Sequence, residues 1–274
     1  DVNLEGRKVE VKDGESLSLG EHNLTFVCAP MVHWPEVMVA YESSEKVLFA
    51  ADAFGKFGAI SKYDGDWACE ARRYYFNICG KYGVQVQSLL KKAAALDIKT
   101  IAPLHGPVLK ENLGYYIDLY NTWSSYGVES EGVLVAFASI HGNTRKAAEK
   151  IASILEKQGA KKVVVSDLSR DDEAEVIEDA FRYGRMIIAA PTYDGGLFPP
   201  MESFLSHLKS KNYQKRTVGI IENGTWAPMS GKLMKAALES MKEIKICDTV
   251  VTIKSALKAE QEDSLVALAK EVLA

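Results

Sequence analysis

Cysteine is scarce in this chain, and none of it is paired in sequence. Cys28, Cys69, Cys79 and Cys247 are scattered over 274 residues without a CxxC spacing. That excludes a disulfide framework or a zinc knot and points to buried thiols in a reducing cytosol. Long apolar runs are missing too: none approaches the roughly 20 residues needed to cross a bilayer, so no membrane role is expected. A basic excess is absent. The formal net charge is −4, the wrong sign for a nucleic-acid surface. The chain shows no low-complexity linker, internal repeat or signal-peptide pattern. It also lacks an initiator methionine and opens at Asp1, as a processed chain or a fragment of a longer polypeptide would.

What is present is an ordinary globular balance, 47 % apolar and 26 % charged, enough for one large or two medium domains. The two halves read differently, and the boundary near residues 127–132 gives domains 1–128 and 129–274. In the first half, alternating runs at 8–12, 24–29, 37–41 and 47–51 read as strands. Glu42-Ser43-Ser44-Glu45 forms the hairpin turn between the last two. Asp64-Gly65 reads as a turn, and Asp66 as the cap of a helix over 67–80; a calcium-loop role for the two aspartates explains them less well. A helix over 84–96, a strand at 100–102 and a helix over 113–126 follow, with Gly127 as the residue that ends the last helix. Tyr115, Tyr116, Tyr120, Trp123 and Tyr126 on that helix read as core or interface packing.

The second half alternates regularly. Strands at 133–138, 162–166, 186–190, 217–222 and 246–253 interleave with helices at 144–158, 172–181, 198–209, 229–241 and 260–273. Five βα units predict an α/β fold, an open five-stranded parallel sheet with helices on both faces. Ligands of such sheets sit beyond the carboxyl ends of the strands, and three loops there are unusual. Ser139, Ile140, His141, Gly142, Asn143 and Thr144 join the first strand to a helix N-terminus, an anion site built from backbone N–H groups and hydroxyls. The loop matches neither GxGxxG nor GxxxxGK[ST], so a phosphate monoester fits it better than a dinucleotide or a nucleoside triphosphate. Pro191, Thr192, Tyr193, Asp194, Gly195 and Gly196 follow the third strand, with glycines that let backbone approach a ligand and an aromatic ring to lie against it. Asn223, Gly224, Thr225 and Trp226 follow the fourth. Singly, each loop has a plain explanation: a capped turn, a locally packed tyrosine, a tryptophan closing the core edge. Together they surround one flat, singly phosphorylated ligand.

These loops resemble those of the flavodoxin family, and the resemblance spans residues 129–274. It implies FMN, with its phosphate on Ser139–Thr144 and its ring between the Tyr193 and Trp226 loops. In the first half the stretches VHWPE, ADAFGKFG and APLHGP are similar to the later metal-ligand segments of flavodiiron proteins, which join a metallo-β-lactamase-like αββα domain to a flavodoxin-like domain in this order. That resemblance implies a non-haem diiron centre, with His33 on one iron, Asp52 bridging and His105 on the other. The family's first ligand segment, an HxExDxxxH-type motif, has no counterpart here: the histidines are His22, His33, His105, His141 and His207, and no HxExD occurs. The expectation is therefore a partial metallo-β-lactamase-like domain, shortened at its amino end, on a chain that binds FMN without a competent diiron pair.

For the parent protein the resemblance implies a cytoplasmic oxidoreductase. A small iron–sulfur donor such as rubredoxin passes electrons to FMN and on to the irons, which reduce dioxygen to water or nitric oxide to nitrous oxide. It also implies a head-to-tail homodimer. A flavodoxin-type electron carrier without substrate chemistry and a metallo-hydrolase with a binding module stay open as alternatives. His207 reads as a surface residue, and Lys209, Lys211, Lys215 and Arg216 as a solvated face.

Overall fold

The computed structural model describes residues 3–62 and 65–274; Asp1 and the Asp64 half of the expected Asp64-Gly65 turn lie outside the described residues. The chain divides into two compact units, Asp1–Ser125 and Tyr126–Ala274.

In the first unit β1 (Ser16–Ser18), β2 (Asn23–Cys28), β3 (Met38–Glu42), β4 (Val47–Phe49) and β5 (Thr100–Ala102) form one sheet in sequence order. The first four strands pair antiparallel, and β4 pairs with β5 in parallel. The turn between β3 and β4 is closed by the Glu42 carboxylate, which accepts the N–H groups of Ser44 at 2.9 Å and Glu45 at 2.6 Å. α1 (Ala68–Ile78), α2 (Gly83–Ala93) and α3 (Leu113–Ser124) complete the unit. Asp66 caps α1 as expected, its Oδ1 accepting from Ala68 N at 3.0 Å and Cys69 N at 3.4 Å. Residues 8–12 are not a strand. Their apolar positions find no sheet to cover, Val9 remaining 66 % exposed, and the first strand falls at Ser16–Ser18 instead. Of the aromatic stripe on α3, Tyr120 and Trp123 are core: Trp123 stacks on Trp67 at 5.8 Å and meets Tyr75 at 5.6 Å, whereas Tyr115 is exposed. The left-handed residue after α3 is Tyr126 (φ 58°) rather than Gly127.

The second unit runs β6 (Ser130–Phe137), α4 (Asn143–Lys157), β7 (Val163–Asp167), α5 (Glu173–Arg182), β8 (Tyr183–Tyr193), β9 (Gly196–Leu197), α6 (Pro199–Ser210), β10 (Gln214–Asn223), α7 (Ser230–Glu239), β11 (Lys242–Ile253) and α8 (Glu262–Leu273). The sheet order is β11-β10-β8-β6-β7, every neighbour on that path parallel, with the two-residue β9 folded back on β8. Counting the five parallel strands along the chain, this is order 2-1-3-4-5, the flavodoxin-like doubly wound arrangement, whose direction of winding reverses between β6 and β8. Ala147, Ile151 and Leu155 of α4 and Leu265, Leu268 and Val272 of α8 pack on Val133, Val135, Ile187 and Ile221 of the sheet. Each fully buried leucine or isoleucine contributes about 1.5–3 kcal/mol, so a charge at Leu155 would unseat α4.

One expected surface residue is internal. Arg216 is only 2 % exposed. Its Nη1 donates to the carbonyls of Tyr126 (2.8 Å) and Gln214 (3.1 Å), and its Nη2 to Phe181 (2.6 Å) and Gly127 (2.9 Å). A planar fork of donors can tie β10 to the end of α5 and to the segment that leads into β6 in a way one ammonium cannot. That network also explains the left-handed Tyr126, whose carbonyl it recruits. Among the described residues no helix is long and apolar enough to cross a membrane.

Candidate functional site

The carboxyl ends of β6, β8 and β10 open onto a cleft of about 410 Å³, within the usual range for a small-molecule site. It is lined by Ser139, Ile140, His141, Asn143 and Thr144 from the first loop, Pro191, Thr192, Asp194 and Gly195 from the second, and Asn223, Gly224, Thr225, Trp226 and Ala227 from the third, with Ser255 beyond β11. Neither lysine nor arginine is among these lining residues. Arg145, the third residue of α4, faces elsewhere: its guanidinium pairs with Asp167 and lies 5.5 Å over the Phe137 ring. An anion in the cleft would therefore rest on neutral donors and on the α4 N-terminus, whose first N–H groups have no acceptor within the helix.

The loops are tied down by their own side chains. Gly142 (φ 83°) turns the chain into α4, and its N–H donates to Ser139 Oγ at 3.0 Å. Thr192 Oγ1 accepts from Met229 N at 2.8 Å and Ser230 N at 3.1 Å, so the second loop caps α7. Gly224 is required where it stands: a Cβ there would come 2.9 Å from Pro228 Cα. Asn223 is buried, and its amide bonds Ser255 in both directions: Nδ2 donates to the carbonyl and Oδ1 accepts from the N–H, each at 3.0 Å.

Most residues expected at the cofactor site come together here; Gly142, Tyr193 and Gly196 do not line the cleft. Asp194 (φ 48°) and Gly195 (φ 70°) are the left-handed centre of a two-residue hairpin between β8 and β9. Strand alternation then sends Thr192 into the cleft and Tyr193 to the other face. There Tyr193 lies 5.6 Å from Phe198 and edges a separate depression with Leu197 and Leu205. Trp226 is the opposite case. At 96 % exposure its ring caps nothing, although it sits on the rim of the cleft. Ala227 belongs to the third loop, although it was not among the residues expected to touch a cofactor. Ser255 was not expected: it carries no local signal and is brought in by the parallel register of β11 on β10 and by its bonds to Asn223.

In the first unit His33, Asp52 and His105 meet. Asp52 is 4 % exposed. Its Oδ1 lies 3.2 Å from His105 Nε2 and its Oδ2 3.7 Å from His33 Nε2. Two further donors hold the same carboxylate, the Trp34 indole N–H on Oδ2 at 2.7 Å and the Tyr74 hydroxyl on Oδ1 at 3.4 Å. Burial, with the Asp52 charge second, pushes the Tyr74 phenol upward and the Cys79 thiol up to about 12. Both therefore stay protonated at neutral pH. One carboxylate with an imidazole on each oxygen fits part of a two-metal donor set. It does not complete one: three donors leave two irons undersupplied, and among the described residues no group of three or more His, Cys, Asp or Glu converges closely enough to hold an ion.

The comparisons with known proteins agree with both halves. A flavodoxin-domain family matches residues 134–253, and the ODP family beta lactamase matches residues 3–106. The chain is 28 % identical over 273 residues to a nitric oxide reductase of Moorella thermoacetica, covering 96 % of this chain and 68 % of that protein. It is 30 % identical over 203 residues to an uncharacterized protein of Methanocaldococcus jannaschii, covering 72 % and 51 %. The rubredoxin oxygen:oxidoreductase of Desulfovibrio gigas superposes with a TM-score of 0.88 at 25 % identity, covering 96 % of this chain and 67 % of that one. The chain thus spans between about half and two thirds of the length of these relatives. FMN and a non-haem diiron centre are the cofactors such proteins imply, and the cleft of the second unit fits the first. With a flavodoxin-domain match over its second unit and an ODP beta-lactamase match over its first, in the order that its relatives share over nearly all of this chain, the chain belongs to the flavodiiron protein family.

Proposed function

We propose that the second unit binds FMN in the cleft at the ends of β6, β8 and β10, with the phosphate at the α4 N-terminus and the ring against Trp226. The single observation behind this is the exposed indole on the rim of a cation-free cleft beside an open helix N-terminus. An aromatic ring of that size left in water is explained by a flat ligand that covers it. Bound there, the flavin supplies one- and two-electron chemistry. The chain's part is to hold the phosphate on neutral donors, to shield one ring face, and to keep the second loop fixed through Thr192.

The activity this reading supports is that of an oxidoreductase that moves electrons from FMN to a diiron site and reduces dioxygen or nitric oxide. The Moorella relative's name supports nitric oxide and the Desulfovibrio structure's name supports dioxygen. That structure's name also supports a rubredoxin-type donor. His33, Asp52 and His105 are the ligands this chain contributes, and we place it in a cytoplasmic head-to-tail homodimer on domains 1–128 and 129–274. The test is anaerobic mixing of the FMN-loaded chain with reduced rubredoxin. Bleaching of the flavin absorption is expected; a flavin that stays oxidised while free FMN is reduced under the same conditions contradicts the assignment.

A further inference from the structure

Three loops were expected around the cleft, and the structure adds a fourth. Ser255 follows β11, an edge strand that pairs only with β10 on the sheet path. Asn223 and Ile253 are register partners at the carboxyl ends of these two strands, so the chain beyond Ile253 emerges beside the third loop. The buried Asn223 amide then clamps Ser255 by both its N–H and its carbonyl. The same Nδ2 lies 3.3 Å from Thr144 Oγ1 in α4. With both ends of its amide engaged by protein, Asn223 has a positioning role rather than a ligand contact.

What it positions is unusual. Ser255 has φ 70°, a left-handed conformation that costs a non-glycine residue free energy and persists only where the surroundings impose it. That conformation sets Ser255 Oγ on the cleft wall, 3.4 Å from Asn143 Nδ2 at the first residue of α4. Ser255 is exposed, and its hydroxyl stands beside the N-terminus of α4, the anion end of the cleft. No lysine or arginine lines that end, so each neutral donor carries a larger share of the hold on a dianion.

We propose that Ser255, held by Asn223, is a fourth-loop donor to the terminal phosphate monoester of the flavin. The assignment rests on the FMN reading above. It is tested with two ligands that differ only in the phosphate, FMN and riboflavin, titrated against the wild-type chain, Ser255→Ala, Asn223→Ala and the double variant, with flavin fluorescence as the readout. Loss of one hydrogen bond to a charged group predicts FMN affinity roughly ten- to a hundredfold weaker in Ser255→Ala and riboflavin affinity unchanged. Asn223→Ala should weaken FMN in the same selective way, and the double variant should fall well short of the product of the two losses, because one contact is lost in all three. Wild-type FMN affinity in Ser255→Ala, or equal loss of both ligands, overturns the assignment while leaving the FMN reading intact. A wild-type chain that binds neither ligand overturns both.

Discussion

Replacing Trp226 by alanine separates a ligand platform from a core plug. The ring is 96 % exposed, so truncation removes almost no intramolecular contact. Stability of the ligand-free chain should change by no more than about 0.5 kcal/mol, as for surface substitutions generally. Binding should change far more. A stacked flavin covers one face of the ring, roughly 100 Å² of apolar surface, worth about 2.5 kcal/mol at about 25 cal/mol per Å². The offset-stacked pair adds about 0.5–1.5 kcal/mol. Together they amount to about 3 kcal/mol, or roughly a hundredfold in Kd. Trp226→Phe, which keeps a smaller face, should fall between. The assays are thermal unfolding of the ligand-free protein and fluorescence titration with FMN. A melting temperature lowered by many degrees with FMN affinity unchanged would show that the ring serves the core and not a ligand.

Other substitutions probe the scaffold. Thr192→Val removes the acceptor of Met229 N and Ser230 N at the start of α7; denaturant titration should show a loss of about 1 kcal/mol, and an unchanged midpoint would contradict the capping role. Arg216→Lys keeps the charge but not the fork, stranding carbonyls now bonded at Tyr126, Gly127, Phe181 and Gln214. The expected cost is about 3 kcal/mol, read by the same titration, and a variant as stable as the parent refutes it. In the first unit, backbone N–H donation from Glu45, and then from Ser44, holds the Glu42 carboxyl at about 2 against an ordinary 4.5. A depressed folded value means that its contribution is complete above about pH 4.5 and fades as the pH falls toward about 2. Acid unfolding followed by near-ultraviolet dichroism should flatten across that window in Glu42→Gln, and identical profiles would count against the hairpin role.

The alternation of strands and helices in the second half was legible because each buried parallel strand is a continuous apolar run and each helix carries one stripe. The phosphate loop was legible because hydroxyls, a glycine and a helix start stand together. The side chains that depend on pairing were not. Tyr193 leaves the cleft because a two-residue hairpin returns β9 onto β8, and nothing in the adjacent residues marks which face Thr192 takes. Ser255 enters the cleft through the register of an edge strand and an amide 32 residues upstream. Arg216 sits in a run of basic residues that reads as solvated, and only the carbonyls converging from three elements make its burial tenable. In the first half, the histidine and aspartate segments are separated by long stretches of chain. The meeting of His33, Asp52 and His105 around one carboxylate is a tertiary fact, as is the Trp34 indole that holds it.

We propose one flavin in the second-unit cleft, held by its phosphate and its ring. Isothermal titration of the flavin-free chain with FMN tests it most directly. Saturation is expected at one FMN per chain, with an affinity that varies little with salt because neither lysine nor arginine lines the cleft. Absence of binding heat, or FMN and riboflavin bound equally, would contradict it.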